Sequence, residues 1–238
     1  MLQRLFRSTE DENRRVILET MPERSGARML DLGCSDGRWT VEVARHVGTT
    51  DIHGVEMLEE RAAEARERGV DAVVADLSCR LDVYDDASFD VIHSNQVIEH
   101  LRDTDCFIRE IRRLLRPSGY ALLSTNNLSS WHNIVSLIVG WQPMPCNVSD
   151  LVNVGNPFDL FDHREHTSRG QTHLRVFTSR ALSELAQFHG LRPVVERSAG
   201  YYPFTGTFGM RMAELDRRHG AFLVHLYEPD PSFTVVLS

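Results

Sequence analysis

The chain has 238 residues, 42% hydrophobic and 25% charged, a composition typical of an ordinary globular protein with a full core. Lys and Arg number 26 against 34 Asp and Glu, and the net charge of −8 argues against a nucleic acid partner. All the basic residues counted are Arg, and the lack of Lys excludes Schiff-base enzymes and Walker-type nucleotidases. The Cys residues form no CxxC pair, and neither an apolar leader nor a membrane-length apolar run is found, so we expect a cytoplasmic location.

The first predicted element is a helix. Thr9-Glu10-Asp11-Glu12 is a capping box, so the helix is expected to start there and to end at Pro22 or Gly26. Short apolar runs then alternate with amphipathic stretches. The predicted strands are 27–32, 51–55, 72–75, 89–93, 120–125, 191–196 and 221–227, and the predicted helices are 39–47, 58–68, 104–115, 178–189 and 210–218. This alternation predicts an α/β fold with a mostly parallel seven-stranded sheet and helices on both faces.

The alternation of predicted strands and helices stops at Asn126. Residues 126–172 carry Pro, Asn, Asp, His and Trp without a clear period, which predicts a cap or lid inserted after the fifth strand. No internal repeat or low-complexity linker is present. We therefore interpret 1–238 as a single domain with an N-terminal helix (1–26), a cofactor-binding half (27–125), the cap (126–172) and the C-terminal part of the sheet (173–238).

Polar residues follow the predicted strands where each one ends. Asp31 and the run 33–37 close the first strand, and Glu56, Asp76 and Asn95-Gln96 follow later strands. Ligands of open α/β sheets bind at these carboxyl ends. Glu56 is suited to accept from a ribose diol, and Asp76 is suited to an adenine amino group. Because the run G-x-S-x-G lacks the G-x-G-x-x-G spacing of a pyrophosphate site, we expect an adenosine with something small attached.

Four motifs in this order, MLDLGCSDG, HGVE, VVAD and FDVIHSNQVIEHL, resemble those of class I S-adenosylmethionine-dependent methyltransferases. The resemblance runs from Met29 to Tyr227, and segments 126–128 and 172–178 are similar to the small-molecule branch that includes ubiquinone-biosynthesis O-methyltransferases. It implies a Rossmann-like fold, S-adenosylmethionine as cofactor, and methyl transfer to a small-molecule acceptor, with O favoured over N or C. The cofactor-binding residues that it implies are Asp31, Gly33, Cys34, Gly37, Glu56, Met57, Asp76, Leu77, Asn95 and Gln96.

The resemblance also assigns roles. Asp31 helps to fix the methionine ammonium, directly or through water, and Glu56 binds the ribose hydroxyls. Asp76 with Leu77 reads the adenine, and Asn95 lines the side nearest the transferring methyl group.

The loop after the first strand departs from the family at one position. The family usually has glycine where Ser35 stands, and a serine keeps the loop if its φ is negative. Cys34 is expected to contribute through its backbone and not as a nucleophile.

The implied reaction is an in-line SN2 displacement at a methyl group that the sulfonium already activates. A hydroxyl acceptor is expected to need a general base. The candidate bases are His100, His132, His166 and His173, each of which can equally be a structural histidine. Gln96 with Glu99-His100 resembles the E-x-x-E-H cation site of some related O-methyltransferases. Gln carries no charge, so this is at most a weak Mg²⁺ site, and we expect no metal.

Acceptor specificity is expected in the cap, 128–171. Trp131, Trp141, Phe158 and Phe161 are candidate walls for the acceptor, and Arg164, Arg169 and Arg175 are candidate partners for a carboxylate or phosphate. The stretch 131–141 also suits a peripheral membrane contact, although it lacks Arg. Two other functions stay open: a non-catalytic nucleoside-binding partner protein, at which Ser35 and Gln96 hint, and a nicotinamide-dependent oxidoreductase.

Overall fold

The computed structural model describes residues 2–150, 152, 154–157, 172–204 and 206–233. Within them, one sheet has the strand order β3-β2-β1-β4-β5-β7-β6. The strands are β1 (Arg28–Leu32), β2 (Asp51–Glu56), β3 (Asp71–Val74), β4 (Phe89–Asn95), β5 (Leu115–Asn126), β6 (Leu191–Ala199) and β7 (Phe222–Pro229). Strand β7 runs antiparallel to both of its neighbours, β5 and β6, and the other neighbouring strands of this sheet pair in parallel. The predicted Rossmann-like, mostly parallel seven-stranded sheet is therefore confirmed.

Helices cover both faces of the sheet. They are α1 (Leu2–Thr20), α2 (Arg38–Val47), α3 (Glu59–Glu67), α4 (Thr104–Leu114), α5 (Trp131–Ile138), α6 (Ser179–Phe188) and α7 (Gly206–Leu215), with a short 3₁₀ turn at Ile98–His100. Leu30 and Ile92 pack with residues of α4 and α6, whereas Met29 and Val91 pack with residues of α1 and α2. Neighbouring strand residues thus point to opposite faces, as the pleat requires. Among the described residues, no helix is both long and apolar enough to cross a bilayer.

Two helices differ from the sequence-based expectation. The predicted start of α1 at the capping box is wrong, because the helix begins at Leu2 and Thr9 lies inside it. A capping box is a local pattern that fits equally well within a helix that continues upstream. The last helix, α7, begins at Gly206 and ends at Leu215, earlier than predicted.

The cap contains a helix that the sequence did not predict. Helix α5 buries only Asn133 and Ser136, while Val135 and Ile138 are exposed. Its apolar residues therefore do not form the single buried stripe by which amphipathic helices are found.

Candidate functional site

The carboxyl ends of β1, β2 and β4 meet at one edge of the sheet. Asp31 on β1 pairs in register with Gly54 on β2 and with His93 on β4. The loop that follows β1, residues 33–37, therefore begins between the ends of two neighbouring strands. This is the edge at which an open α/β sheet binds its ligands.

Three residues of this loop have left-handed backbone conformations. The φ angles of Gly33, Ser35 and Gly37 are 87°, 46° and 79°. A Cβ on Gly33 would lie 2.4 Å from Val97 Cγ2, and a Cβ on Gly37 would lie 2.9 Å from the α3 backbone, so both positions require glycine. The condition of a negative φ at Ser35, under which a serine would fit the loop without strain, is therefore not met. Its N–H donates to Glu56 Oε2 at 3.0 Å, which helps to hold a conformation that costs a non-glycine residue about 1–2 kcal/mol.

Three backbone N–H groups hold the carboxylate of Glu56. Oε1 accepts from Met57 and Leu58 at 2.9 and 3.0 Å, and Oε2 accepts from Ser35. Because a carboxylate oxygen can accept two hydrogen bonds, Oε2 keeps a lone pair for a ligand hydroxyl. The side chains of Met57 and Leu58 are 53% and 48% exposed, so they offer apolar surface beside this carboxylate.

A cavity of about 560 Å³ opens beside the loop, and we call it the loop cavity. Its lining includes Arg14, Asp31, Gly33, Trp39, His93 and Asn95. The guanidinium of Arg14 lies over the Trp39 ring, 5.3 Å from its centroid. Helix α1 therefore brings a cation to a cavity that is otherwise built from the strand ends and their loops.

Asp31 is buried, and both of its carboxylate oxygens have protein partners. Oδ2 accepts from Thr40 Oγ1 at 2.5 Å, and Oδ1 accepts from His93 Nδ1 at 2.7 Å. The His93 side chain is also buried, and its Nε2 has no hydrogen-bond partner among the described residues.

A second cavity, of about 280 Å³, adjoins the first, and we call it the histidine cavity. Its lining includes Arg14, Asn95, Gln96, Asn126, His132, His173 and Tyr202. Arg14 and Asn95 line both cavities, so the two spaces meet at the end of β4.

Hydrogen bonds orient the two amides at the end of β4. Asn95 Oδ1 accepts from Asn13 Nδ2 at 3.1 Å, and Gln96 Oε1 accepts from Asn126 Nδ2 at 2.9 Å. The same Asn126 nitrogen lies 3.2 Å from Glu99 Oε1, to which it also donates. Gln96 Nε2 is buried and has no partner among the described residues, so it is the atom of this pair that a ligand could satisfy.

The histidines that line the cavity are neutral. Burial lowers the pKa of His132 to about 4, and burial together with nearby His100 lowers that of His173 to about 4. His173 Nδ1 donates to the Pro145 carbonyl at 3.0 Å, which leaves the lone pair on Nε2. His100 does not line the cavity. Its ring lies against that of His173, with centroids 4.8 Å apart, and its Nδ1 donates to the Thr172 carbonyl.

Glu99, His100 and His173 form a cluster whose ligand atoms all lie within 4.8 Å of one another, and we call it the Glu99 cluster. Glu99 is fully buried, and burial raises its pKa to about 7. Both imidazoles donate Nδ1–H to backbone carbonyls, which is the usual orientation of a metal-bound histidine. One carboxylate and two imidazoles suit a divalent cation. The sequence predicted Gln96 as the third ligand beside Glu99 and His100, but in the structure His173 lies in that place.

Three other candidate residues have local partners. Cys34 is buried, and burial with the nearby carboxylates raises the pKa of its thiol to about 12, so it is no nucleophile. Its N–H donates to the Val55 carbonyl, so that group is used within the fold. Asp76 is exposed and accepts from the Ser78 N–H at 2.8 Å, while Leu77 packs into the core.

The cap contributes His132 to the histidine cavity, but Trp131, Trp141 and Arg175, which the sequence suggested for the acceptor, are not among its lining residues. Trp131 Nε1 donates to Asp216 at 2.9 Å, Trp141 is 36% exposed, and Arg175 donates to the Leu101 carbonyl. Phe158, Phe161, Arg164, His166 and Arg169 lie outside the described residues. The peripheral membrane contact of the cap stays a prediction.

Sequence reasoning missed Asn13, Arg14 and Tyr202, which reach the cavities from α1 and from the segment after β6. No local motif marks them. The one available signal is that Asn13 and Arg14 stand next to each other in a predicted amphipathic helix, as polar residues just before its apolar face.

Comparison with known proteins assigns the chain to a family. A model of the methyltransferase domain family matches residues 5–196. The chain therefore belongs to this family, which confirms the predicted class I S-adenosylmethionine-dependent methyltransferase and its cofactor.

Individual relatives share parts of the chain. A "Probable S-adenosylmethionine-dependent methyltransferase" of Mycolicibacterium smegmatis is 29% identical over 88% of this chain and 66% of its own length. A ubiquinone biosynthesis O-methyltransferase of Neisseria meningitidis is 31% identical over 43% of this chain and 45% of its own. The chain thus spans less than two thirds of either protein. The structure of an S-adenosylmethionine-dependent methyltransferase from Mesorhizobium loti superposes with a TM-score of 0.60 at 19% identity, covering 90% of this chain and 96% of that one, which supports the fold.

Proposed function

We propose that this protein transfers a methyl group from S-adenosylmethionine to a small-molecule acceptor, with the cofactor in the loop cavity and the acceptor in the histidine cavity. One observation carries this proposal: the two cavities share Arg14 and Asn95. A donor in one cavity would therefore lie beside an acceptor in the other. In-line displacement needs this adjacency and the exclusion of water.

The groups around the loop cavity fit the parts of the cofactor. Glu56 Oε2 has a lone pair for a ribose hydroxyl, and exposed Met57 offers an apolar surface for adenine. Arg14 has the charge and planar shape to bind the methionine carboxylate. S-adenosylmethionine, when bound, supplies a methyl group that its sulfonium already activates. The protein's part is to align this group with the acceptor.

The histidine cavity has the size and polarity for a small acceptor. Its volume of about 280 Å³ suits a compact ring better than a polymer. Asn95 and Gln96 line it with amide side chains, and Tyr202 lines it with an aromatic side chain. His173 is the proposed general base, because its neutral Nε2 is free to take a proton, and His132 is the other base in the cavity. A hydroxyl needs such a base more than an amine does, so we favour O-methylation.

A divalent cation at the Glu99 cluster is a second candidate for activating a hydroxyl acceptor. The observation that favours it is the convergence of one carboxylate and two imidazoles within 4.8 Å. Such a cation lowers the pKa of a bound hydroxyl. Full activity in the presence of a chelator would exclude this version and leave His173 as the base.

The first test is isothermal titration of the metal-stripped protein with S-adenosylhomocysteine. Saturable one-site binding is expected, and absence of heat at several temperatures would overturn the proposal. The second test follows methylation of catechol and other hydroxylated aromatics, with and without Mg²⁺. Tight S-adenosylhomocysteine binding without turnover on a broad panel would favour the non-catalytic partner protein. Preferential binding of a nicotinamide cofactor would favour the oxidoreductase.

A further inference from the structure

Two residues that line the loop cavity each have a buried side-chain nitrogen without a hydrogen-bond partner among the described residues. These nitrogens are Nε2 of His93 and Nε1 of Trp39. The rings meet edge to face with centroids 6.2 Å apart. A buried polar atom without a partner costs free energy, which a ligand regains if it supplies that partner.

The hydrogen bond to Asp31 decides what His93 offers. Nδ1 lies 2.7 Å from Asp31 Oδ1, and because a carboxylate oxygen accepts, this bond favours the tautomer with the proton on Nδ1 and the acceptor lone pair on Nε2. Asp31 itself is 2% exposed, and its other oxygen accepts from Thr40 at 2.5 Å. Both residues line the loop cavity, but each Asp31 oxygen already has a protein partner, whereas His93 Nε2 has none among the described residues.

We infer that His93 is a cofactor-binding residue and that its Nε2 accepts a hydrogen bond from the α-ammonium group of S-adenosylmethionine. Asp31, to which the sequence assigned this contact, is then a positioning residue that fixes the tautomer and supplies the negative charge. The inference rests on the proposed function, because it concerns how that cofactor is held.

A positively charged group, the guanidinium of Arg14, lines the same cavity as the negatively charged Asp31. The Trp39 indole can only donate, and the Arg14 guanidinium lies over its ring. These two donors match a carboxylate, whereas His93 with Asp31 matches an ammonium. Together they form a pair of sites of opposite polarity, which is what the zwitterionic amino-acid end of the cofactor requires.

The test compares three ligands by isothermal titration of the full chain. S-adenosylhomocysteine has both charged groups, 5′-S-(3-aminopropyl)-5′-thioadenosine keeps only the ammonium, and 5′-methylthioadenosine has neither. The variant His93→Asn keeps a donor for Asp31 but has no atom at the position of Nε2. We expect it to bind the first two ligands about tenfold more weakly, or worse, and the third with little change.

The matched control is His53→Asn. His53 is also a buried strand histidine paired with an aspartate, Asp51, at 2.9 Å, but it does not line the loop cavity. It should lose stability in thermal denaturation without changing the ratio of the three affinities.

Each other result is decisive. Equal weakening for all three ligands would make His93 merely structural, and weakening for S-adenosylhomocysteine alone would mean that it reads the carboxylate. Unchanged binding would remove it from the site. If the wild type bound none of the ligands, the proposed function itself would fail, which is a different outcome from failure at His93.

Discussion

Replacing Glu56 by Gln tests the placement of the cofactor with almost no change in shape. In the wild type, one carboxylate oxygen accepts from the N–H groups of Met57 and Leu58, and the other accepts from Ser35. A glutamine has to point its NH₂ at one of these two sets of donors. The orientation of lower energy keeps the amide oxygen towards Met57 and Leu58 and turns the NH₂ group towards the single N–H of Ser35. An NH₂ group at this position has no lone pair for a ribose hydroxyl.

The magnitude follows from that orientation. A hydrogen bond to a charged group contributes about 1.5–3 kcal/mol, so S-adenosylhomocysteine should bind Glu56→Gln roughly 10- to 150-fold more weakly. Adenine alone, which has no ribose, should lose little. The assay is isothermal titration with both ligands.

Glu59→Gln is the control. Glu59 stands three residues further along and pairs with Arg66 at 2.7 Å, but its side chain is 68% exposed. An exposed pair contributes about 0–1 kcal/mol, so this variant should bind both ligands normally. If Glu56→Gln bound S-adenosylhomocysteine as well as this control does, our placement of the cofactor would be refuted.

Three further predictions concern strain, titration and the acceptor. Ser35→Gly should raise the free energy of unfolding by about 1 kcal/mol, visible as a higher Tm, because glycine tolerates a φ of 46°; an unchanged or lower Tm would contradict the strain. Burial lowers the pKa of His132 and His225 from 6.5 to about 4, so the unfolded chain binds more protons. The contribution of these two histidines to stability should be fully present above pH 6.5 and be lost towards pH 4 in denaturant titrations. The variant His225→Gln should show a smaller change of unfolding free energy with pH between pH 6.5 and 4. An unchanged pH dependence would contradict the assignment of this effect to His225. His173→Asn should lower kcat on a hydroxyl acceptor by about 10²-fold or more while S-adenosylhomocysteine affinity is kept; a full kcat would exclude it as the base.

The sheet could be predicted because its strands are short apolar runs closed by turn residues. Leu30 and Ile92 are buried on one face, and Met29 and Val91 are buried on the other. A strand buried on both faces is a continuous apolar run, which its short length and the turn residues at its ends distinguish from a buried helix. Helix α5 lacks any comparable signal, because it buries Asn133 and Ser136 and leaves its apolar residues exposed.

The candidate site was predictable only where it is local in sequence. Glu56 and Asn95 end strands, so the fold alone brings them to the binding edge. Asn13 reaches Asn95 across 82 residues of sequence, a contact that depends on how α1 packs on the sheet. The contact between His93 and Asp31 was equally hidden, because a histidine inside a strand gives no sign that its partner is the aspartate of the neighbouring strand.

Ser35 and Gln96 were the two residues that hinted at a protein that has lost catalysis, and their geometry argues otherwise. Both have positive φ angles, 46° and 57°. Such conformations persist only where surrounding contacts enforce them. The N–H of Ser35 donates to Glu56, and the N–H of Gln96 donates to the Ser124 carbonyl. In a protein that had lost catalysis, we would expect these residues to relax to negative φ angles. Here the strained Ser35 donates to the carboxylate that we propose for the ribose, and the strained Gln96 lines the histidine cavity, so the departures from the family pattern are consistent with a working site.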